Sequence, residues 1–145
     1  MLSENKSFQD FLKWKSYANW NKPKESVLEK RALNPLCGDE VILYYNRIKN
    51  EGIEIVAVSG DSCSICSASL GLLFKNQSLF LTKDIPKYLS ERKKFLEGEE
   101  SSLFGDLEEL SFFHSVVSHP SRHRCALLPW QTLEKIIEEK NDPRP

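Results

Sequence analysis

Three cysteines of this 145-residue chain lie where predicted secondary-structure elements begin, and this placement indicates metal or sulfur chemistry. Cys37 lies in a glycine-containing turn before a predicted strand, Cys63 precedes a predicted helix, and Cys125 follows a helix break. Buried structural cysteines are usually found inside apolar stripes, so positions at element ends favour ligands. A thiolate is both a metal ligand and a nucleophile. We therefore expect these three side chains to meet at one site.

An aspartate completes the candidate ligand set. Asp39 lies two residues beyond Cys37, within reach of the same metal ion. Three thiolates and one carboxylate oxygen suit tetrahedral Zn²⁺ or, with some adaptation, an iron–sulfur cluster. A second interpretation of Asp39 stays open, because aspartate after glycine commonly forms an Asx turn. The predicted metal site thus consists of Cys37, Asp39, Cys63 and Cys125.

Positive charge near two of these segments favours the thiolate form. Cys63 and Cys66 lie at a predicted helix start, whose partial positive charge stabilises anions. The basic run 122–124 directly precedes Cys125, and we expect its histidine, His123, to lie near the ligands. Thiolates stabilised in this way can bind a metal ion and can take sulfur from a persulfide.

Composition and charge exclude several other classes of protein. Twenty lysines and arginines oppose 21 aspartates and glutamates, and a formal charge of −1 argues against nucleic-acid binding. No apolar run reaches the roughly 18 residues that a membrane span needs. The first six residues contain no apolar region of a secretory signal. We expect a single domain over residues 1–145, located in the cytoplasm, where thiols stay reduced.

Hydrophobic periodicity predicts strands early in the chain and helices later. Asn50-Glu51-Gly52 is typical of a hairpin turn between the two strands, and residues 24–38 are interpreted as an irregular connection. Pro129 favours a last helix that begins at Cys125 or Ala126. The basic run 92–94 is expected to be a solvated face. The predicted strands are 41–45 and 53–58. Before the last helix, four further helices are predicted, at 7–20, 67–74, 84–97 and 106–117. Thr82 is the expected cap of the third, and Asp106 lies at the start of the fourth. This pattern indicates an α+β domain with a small antiparallel sheet.

Three ordered motifs resemble those of one protein family. They are Asn34-Pro35-Leu36-Cys37-Gly38-Asp39, then Gly60-Asp61-Ser62-Cys63-Ser64-Ile65 with Ala68-Ser69, and Arg122-His123-Arg124-Cys125-Ala126-Leu127. Together they resemble the IscU/SufU (NifU amino-terminal-type) iron–sulfur cluster assembly proteins, over roughly residues 33 to 138. The resemblance implies an α+β fold in which helices pack on one face of a small three-stranded antiparallel sheet, as in SufE/NifU-like proteins.

The resemblance also implies partners and a branch of the family. The expected partners are a SufS-like cysteine desulfurase and recipient apo iron–sulfur proteins, so the chain would not work as a stand-alone enzyme. Residues 105–109 resemble the extra helical stretch of the SufU branch, and Arg124 stands where IscU proteins place a histidine. Both features favour the SufU branch.

Carried over residue by residue, the resemblance assigns roles at the predicted site. Cys37, Asp39, Cys63 and Cys125 would bind zinc, or the three cysteines would hold a cluster. Cys37 would be the thiol that accepts sulfur. Arg122 matches an arginine that lies near the site in the SufU branch.

Cys66 leaves alternative functions open. It stands where the family usually has a serine, and with Cys63 it forms a CxxC motif. A thiol–disulfide oxidoreductase would use this pair, although Cys66 is also interpreted as a small packing residue. A further alternative is a zinc-stabilised interaction module. Replacement of Cys66 alone separates the oxidoreductase from the other functions.

Overall fold

The computed structural model describes residues 2–35, 38–48, 52–79, 85–99 and 107–140. Within them the chain forms α1 (Leu2–Lys15), β1 (Leu28–Asn34), β2 (Asp39–Ile48), β3 (Gly52–Ser59), α2 (Ser64–Asn76), α3 (Ile85–Leu96), α4 (Leu107–Val116) and α5 (His123–Lys140). Thr82 and Asp106 lie outside the described residues, as do Asn50 and Glu51 of the predicted turn, whereas Gly52 is the first residue of β3.

The strands form one antiparallel sheet in the order β1-β2-β3, so that β2 is central. Alternate residues of β2 point to opposite faces. Val41, Leu43 and Tyr45 face the helices and join the main core, whereas Ile42 and Tyr44 belong to a smaller cluster on the other face. The predicted α+β fold, with helices packed on one face of a small antiparallel sheet, is confirmed.

The interpretation of residues 24–38 as an irregular connection is wrong for β1. All seven residues of this strand pair with β2, from Leu28 opposite Tyr45 to Asn34 opposite Asp39. The strand sequence LEKRALN contains none of the β-branched or aromatic residues that are typical of strands. Pairing with the apolar central strand stabilises an extended conformation that the local sequence does not favour.

The first helix begins and ends earlier than predicted, since α1 covers Leu2–Lys15 rather than 7–20. After Lys15 the chain leaves the helix and runs along the edge of β3, where Asn19 pairs with the strand. The carbonyl oxygen of Asn19 accepts a hydrogen bond from the Val58 amide at 2.8 Å, and the Asn19 side chain donates to the Val56 carbonyl at 3.1 Å. These two bonds satisfy edge groups that would otherwise be open to pairing.

Close packing of α1 against α2 requires Gly71. A Cβ atom built on Gly71 would lie 1.7 Å from the carbonyl oxygen of Trp14, so a larger residue would force the two helices apart. The Trp14 ring then packs edge-on against Phe112 of α4, with the ring centroids 5.7 Å apart. Three helices therefore meet at this point.

The last helix begins at His123, so the prediction of a start at Cys125 or Ala126 is wrong. Pro129 consequently lies inside α5 and not in its first turn. Proline has no amide hydrogen to donate to the carbonyl four residues earlier, which normally disfavours an internal position. Burial of Trp130 and Ile136 against the core stabilises the helix in spite of this loss.

The basic run 92–94 is not a solvated face as a whole. Lys93 and Lys94 are exposed, but Arg92 is completely buried. Its guanidinium group forms an ion pair with Glu109 of α4, which is also buried. The prediction is wrong for Arg92 because a charge that is paired and hydrogen-bonded can be accommodated in a core.

A second carboxylate, that of Glu108, joins α1, α2 and α4. It accepts hydrogen bonds from Tyr17 Oη at 2.6 Å, Trp14 Nε1 at 3.1 Å and Lys75 Nζ at 2.6 Å. The bonds from Lys75 and Tyr17 stabilise the ionised form and lower the pKa of Glu108 to about 2. Ionised Glu108 thereby stabilises the folded state.

We expect Glu108 to make the free energy of unfolding depend on pH below about 5. Its folded pKa of about 2 lies below the unfolded value of ~4.3, so the stabilisation is present above pH ~4.3 and is lost as the pH falls towards 2. The loss in the free energy of unfolding is on the order of 2 kcal/mol. It is smaller than the pKa difference alone implies, because solvent partly screens the group. Glu108→Gln should remove this part of the dependence in urea titrations at pH 6 to 2.5, and Glu138→Gln, on the exposed face of α5, should retain it. Equal curves for wild type and Glu108→Gln would contradict the assignment.

Candidate metal centre

The ends of three elements converge at one point of the structure. Asp39 is the first residue of β2, Cys63 is the residue that caps the amino end of α2, and Cys125 lies in the first turn of α5. One ligand atom from each of these side chains lies within 4.8 Å of the other two. Residues that are 24 and 62 positions apart in sequence therefore form a common donor group.

The loop before α2 determines where Cys63 lies. Gly60 has a φ of +127°, and a Cβ atom there would lie 2.1 Å from the carbonyl oxygen of Glu40. The Glu40 amide donates to the Asp61 carbonyl at 2.9 Å, so the loop packs directly on the start of β2. Only glycine permits this close approach, which brings Cys63 next to Asp39.

Hydrogen bonds hold Asp39 and Cys63 in fixed relation. Asp39 Oδ1 accepts from the Cys63 amide at 2.9 Å, and the Cys63 thiol donates to Asp39 Oδ2 at 3.4 Å. Asp39 is 4% exposed and Cys125 is completely buried, whereas Cys63 is partly accessible. A buried carboxylate beside two thiols is a donor group that a divalent metal ion would stabilise.

The donor types fit a metal ion of borderline softness. Ligands 2.3 Å from a tetrahedral zinc ion lie about 3.8 Å from one another, so small side-chain rotations would bring these three groups to bonding distance. A fourth ligand is needed to complete a structural zinc site. Cys37, predicted for this position, lies outside the described residues, but it is only two residues from Asp39 in the chain.

Cys66 is placed beside the donor group without belonging to it. It is completely buried in the first turn of α2, and its amide donates to the Cys63 sulfur at 3.4 Å. Its burial against the core agrees with the prediction of a packing residue. The three described cysteines, Cys63, Cys66 and Cys125, form no disulfide with one another.

The basic residues before Cys125 point in different directions. His123 Nε2 donates to the carbonyl oxygen of Val117 at 3.1 Å, so this ring holds the end of the preceding helical segment. Arg122 is exposed and lines a cavity of about 260 Å³ with Ile65. Arg124 lines a second cavity, of about 370 Å³. A role of Arg122 and His123 near the ligands stays a prediction.

Three serines for which no role at the site was predicted lie in α2 and in the loop before it, and they support the site. The buried Ser69 hydroxyl of α2 donates to the Ala126 carbonyl of α5 at 2.7 Å, next to Cys125. Ser62 and Ser67 are joined through their hydroxyls at 2.8 Å across the start of α2. The small-residue pattern after Cys63 was a signal for this close helix contact.

Among the described residues, no helix has both the length and the apolar character needed to cross a membrane.

Comparisons of the sequence give two informative relatives, while no family model matches the chain. The chain is 30% identical to the zinc-dependent sulfurtransferase SufU of Bacillus subtilis over 110 residues. The matched segment covers 74% of this chain and 72% of the relative. It is 24% identical over 119 residues to the iron–sulfur cluster assembly scaffold protein IscU of Thermotoga maritima, with 82% of each chain covered.

A solved structure shares the fold. The amino-terminal part of a nitrogen-fixing NifU-like protein from Brucella abortus matches with a TM-score of 0.78 at 16% identity, over 94% of both chains. This likeness concerns the fold, and it confirms the NifU-like architecture predicted from the sequence.

Proposed function

Because the chain belongs to the SufU/IscU family of iron–sulfur cluster assembly proteins, we propose that it accepts persulfide sulfur from a cysteine desulfurase and delivers it for cluster assembly. The observation that carries this proposal is the convergence of Asp39, Cys63 and Cys125 within 4.8 Å of one another. The proposed recipients are apo iron–sulfur proteins. The cytoplasmic location stays a prediction.

The site chemistry supports zinc as the resident ion, with a cluster as the alternative occupant. Asp39, Cys63 and Cys125 would hold the ion together with Cys37. Bound zinc would stabilise the ligand thiols as thiolates, the form that attacks sulfur. The hydrogen bond from the Cys63 amide to Asp39 orients the carboxylate towards the thiols, and the completely buried Cys125 is kept away from water.

Cys37 is the proposed sulfur acceptor. Its thiolate attacks the outer sulfur of the desulfurase persulfide, the S–S bond of that persulfide breaks, and the desulfurase cysteine leaves as a thiolate. Cys37 then carries the persulfide. Cys63 caps a helix and Cys125 is buried within one, whereas Cys37 lies in a sequence with proline and glycine on either side that is typical of a turn. A turn residue can exchange its bond to the metal ion more easily than residues within helices.

We expect labelled sulfur from cysteine and desulfurase to appear on Cys37, and Cys37→Ser to reduce uptake at least about tenfold, since the attacking thiolate is lost. Trypsin separates the candidates, because Cys37 lies in peptide 32–47, Cys63 and Cys66 in 50–75, and Cys125 in 125–135. Cys66→Ser is the matched control and should accept label like the wild type. Label on peptide 125–135 alone, or full uptake by Cys37→Ser, would contradict the assignment.

The metal content and reactivity of the purified protein distinguish the two candidate occupants and the alternative functions. Protein purified without air should contain about one zinc per chain and show no absorbance in the visible range, whereas a brown colour would identify a cluster. A thiol–disulfide oxidoreductase would require Cys66 for repeated turnover of a disulfide substrate, well beyond one disulfide reduced per chain. An interaction module stabilised by zinc would bind the ion but would take up no labelled sulfur.

A further inference from the structure

Cys66 is a thiol beside the metal site for which the proposed sulfur transfer has no use. Its amide lies 3.4 Å from the Cys63 sulfur, and it is completely buried, whereas Cys63 is partly accessible. One cysteine of the pair can therefore meet a reagent from solution while the other is shielded from it.

The start of α2 brings the Cys63 sulfur next to the backbone of Cys66. Cys63 has extended backbone angles (φ −67°, ψ 168°) at the cap position, which places its sulfur over the amide of Cys66. The Cα–Cβ bond of a helical residue tilts towards the amino end of the helix, and this direction leads from Cys66 to Cys63. Because the Cys63 sulfur already lies 3.4 Å from the Cys66 amide, a small adjustment of the first turn brings the two Cβ atoms to the ~4 Å separation of a disulfide.

We propose that Cys63 and Cys66 form a reversible disulfide that removes Cys63 from the metal site. The oxidant is a low-molecular-weight disulfide. The Cys63 thiolate attacks one of its sulfurs, giving a mixed disulfide and releasing the first small thiolate. The Cys66 thiolate then attacks the Cys63 sulfur, the mixed disulfide bond breaks, and the second small thiolate leaves. Two protein thiols are oxidised and one small disulfide is reduced to two thiols.

Disulfide formation competes with metal binding, and this part of the inference rests on the proposed function. A sulfur in a disulfide is no longer a thiolate ligand. Asp39 and Cys125 would keep their positions on β2 and α5 but would lose the ligand on α2. Oxidation therefore releases the ion, and reduction of the disulfide restores the site.

The decisive test is peptide mapping after treatment with oxidised glutathione. Both cysteines lie in tryptic peptide 50–75, which contains no other cysteine, so their disulfide lowers the mass of this single peptide by about 2 Da and blocks its alkylation. We expect this product in metal-free and in zinc-loaded protein, and we expect dithiothreitol to reverse it. A cross-link between peptide 50–75 and peptide 32–47 or 125–135, or two thiols that remain open to alkylation, would overturn the proposal.

Zinc release gives a second measurement. With oxidised glutathione, zinc should leave the wild type in step with disulfide formation and should leave Cys66→Ser at least about tenfold more slowly, because Cys63 then stops at the mixed disulfide, which glutathione can reverse. Cys66→Ala serves as a second variant if serine is poorly accommodated in the core. Equal release from wild type and both variants would overturn the proposal. Peptide mapping of metal-free protein needs no desulfurase. A negative result there would therefore contradict the disulfide proposal without bearing on the proposed sulfur transfer.

Discussion

Replacement of Arg92 by alanine is expected to lower the free energy of unfolding by about 3–5 kcal/mol, because it leaves the Glu109 carboxylate buried without its counter-charge. Arg92 and Glu109 are 0% and 1% exposed. The Arg92 Nε and Nη2 atoms both donate to Glu109 Oε1, the first at 2.7 Å. Burial lowers the pKa of Arg92, and the Glu109 carboxylate opposes this change.

The pair joins four helices, which is why its loss should affect the whole fold. Arg92 Nη1 donates to the Tyr88 carbonyl within α3, and the guanidinium lies 4.1 Å from the ring centroid of Trp130 in α5. Asn76 of α2 donates to the second oxygen of Glu109 in α4 at 3.3 Å. Removal of one charge therefore disturbs contacts among α2, α3, α4 and α5.

Denaturant titration of single and double variants measures this effect. Lys93→Ala, at the exposed neighbour of Arg92, should change the free energy of unfolding by less than about 0.5 kcal/mol. The double variant Arg92→Met with Glu109→Leu should recover much of the loss, because apolar residues of similar volume often replace a buried pair without large cost. A change below about 1 kcal/mol for Arg92→Ala would show that the pair is solvated in solution.

Replacement of Asp39 by alanine should have opposite effects on the two candidate occupants. Zinc would lose a direct ligand, and we expect its affinity to fall by at least about 100-fold, since structural zinc sites need all four positions filled. A cluster held chiefly by three thiolates should persist longer, because a carboxylate is a harder ligand that binds a soft centre less firmly and leaves it labile.

Chelator-induced zinc loss and the lifetime of a reconstituted cluster measure these two effects. Glu40→Ala removes the neighbouring carboxylate, which pairs with Arg31 rather than with the thiols, and should leave both quantities unchanged. Asp39→Asn can still accept the hydrogen bond from the Cys63 amide, so it separates ligation from support of the loop. If Asp39→Ala changes neither quantity, Asp39 acts only by holding the start of α2 and the Asx-turn interpretation is correct.

The sequence by itself determined the cores of the two strongest strands and the residue types of the candidate site. The runs 41–45 and 53–58 are rich in β-branched and aromatic residues, and both fall inside strands of the structure. The three-stranded sheet and the family were predicted from ordered motifs rather than from periodicity. Cysteines at element ends identified Cys63 and Cys125 as candidate ligands, because such positions lack the apolar pattern of packing residues.

Only the tertiary structure decided the features that depend on partners distant in sequence. The segment of β1 has weak strand propensity. It forms a strand because each of its seven residues pairs with a residue of β2. The neighbouring lysines indicate a surface position for Arg92. Its burial depends on the counter-charge of Glu109, which lies 17 residues later in the chain. Pro129 stays inside α5 because the burial of its neighbours outweighs one lost hydrogen bond. The site depends in the same way on long-range packing, since a glycine at 60 and a serine at 69 bring together donors that no local pattern connects.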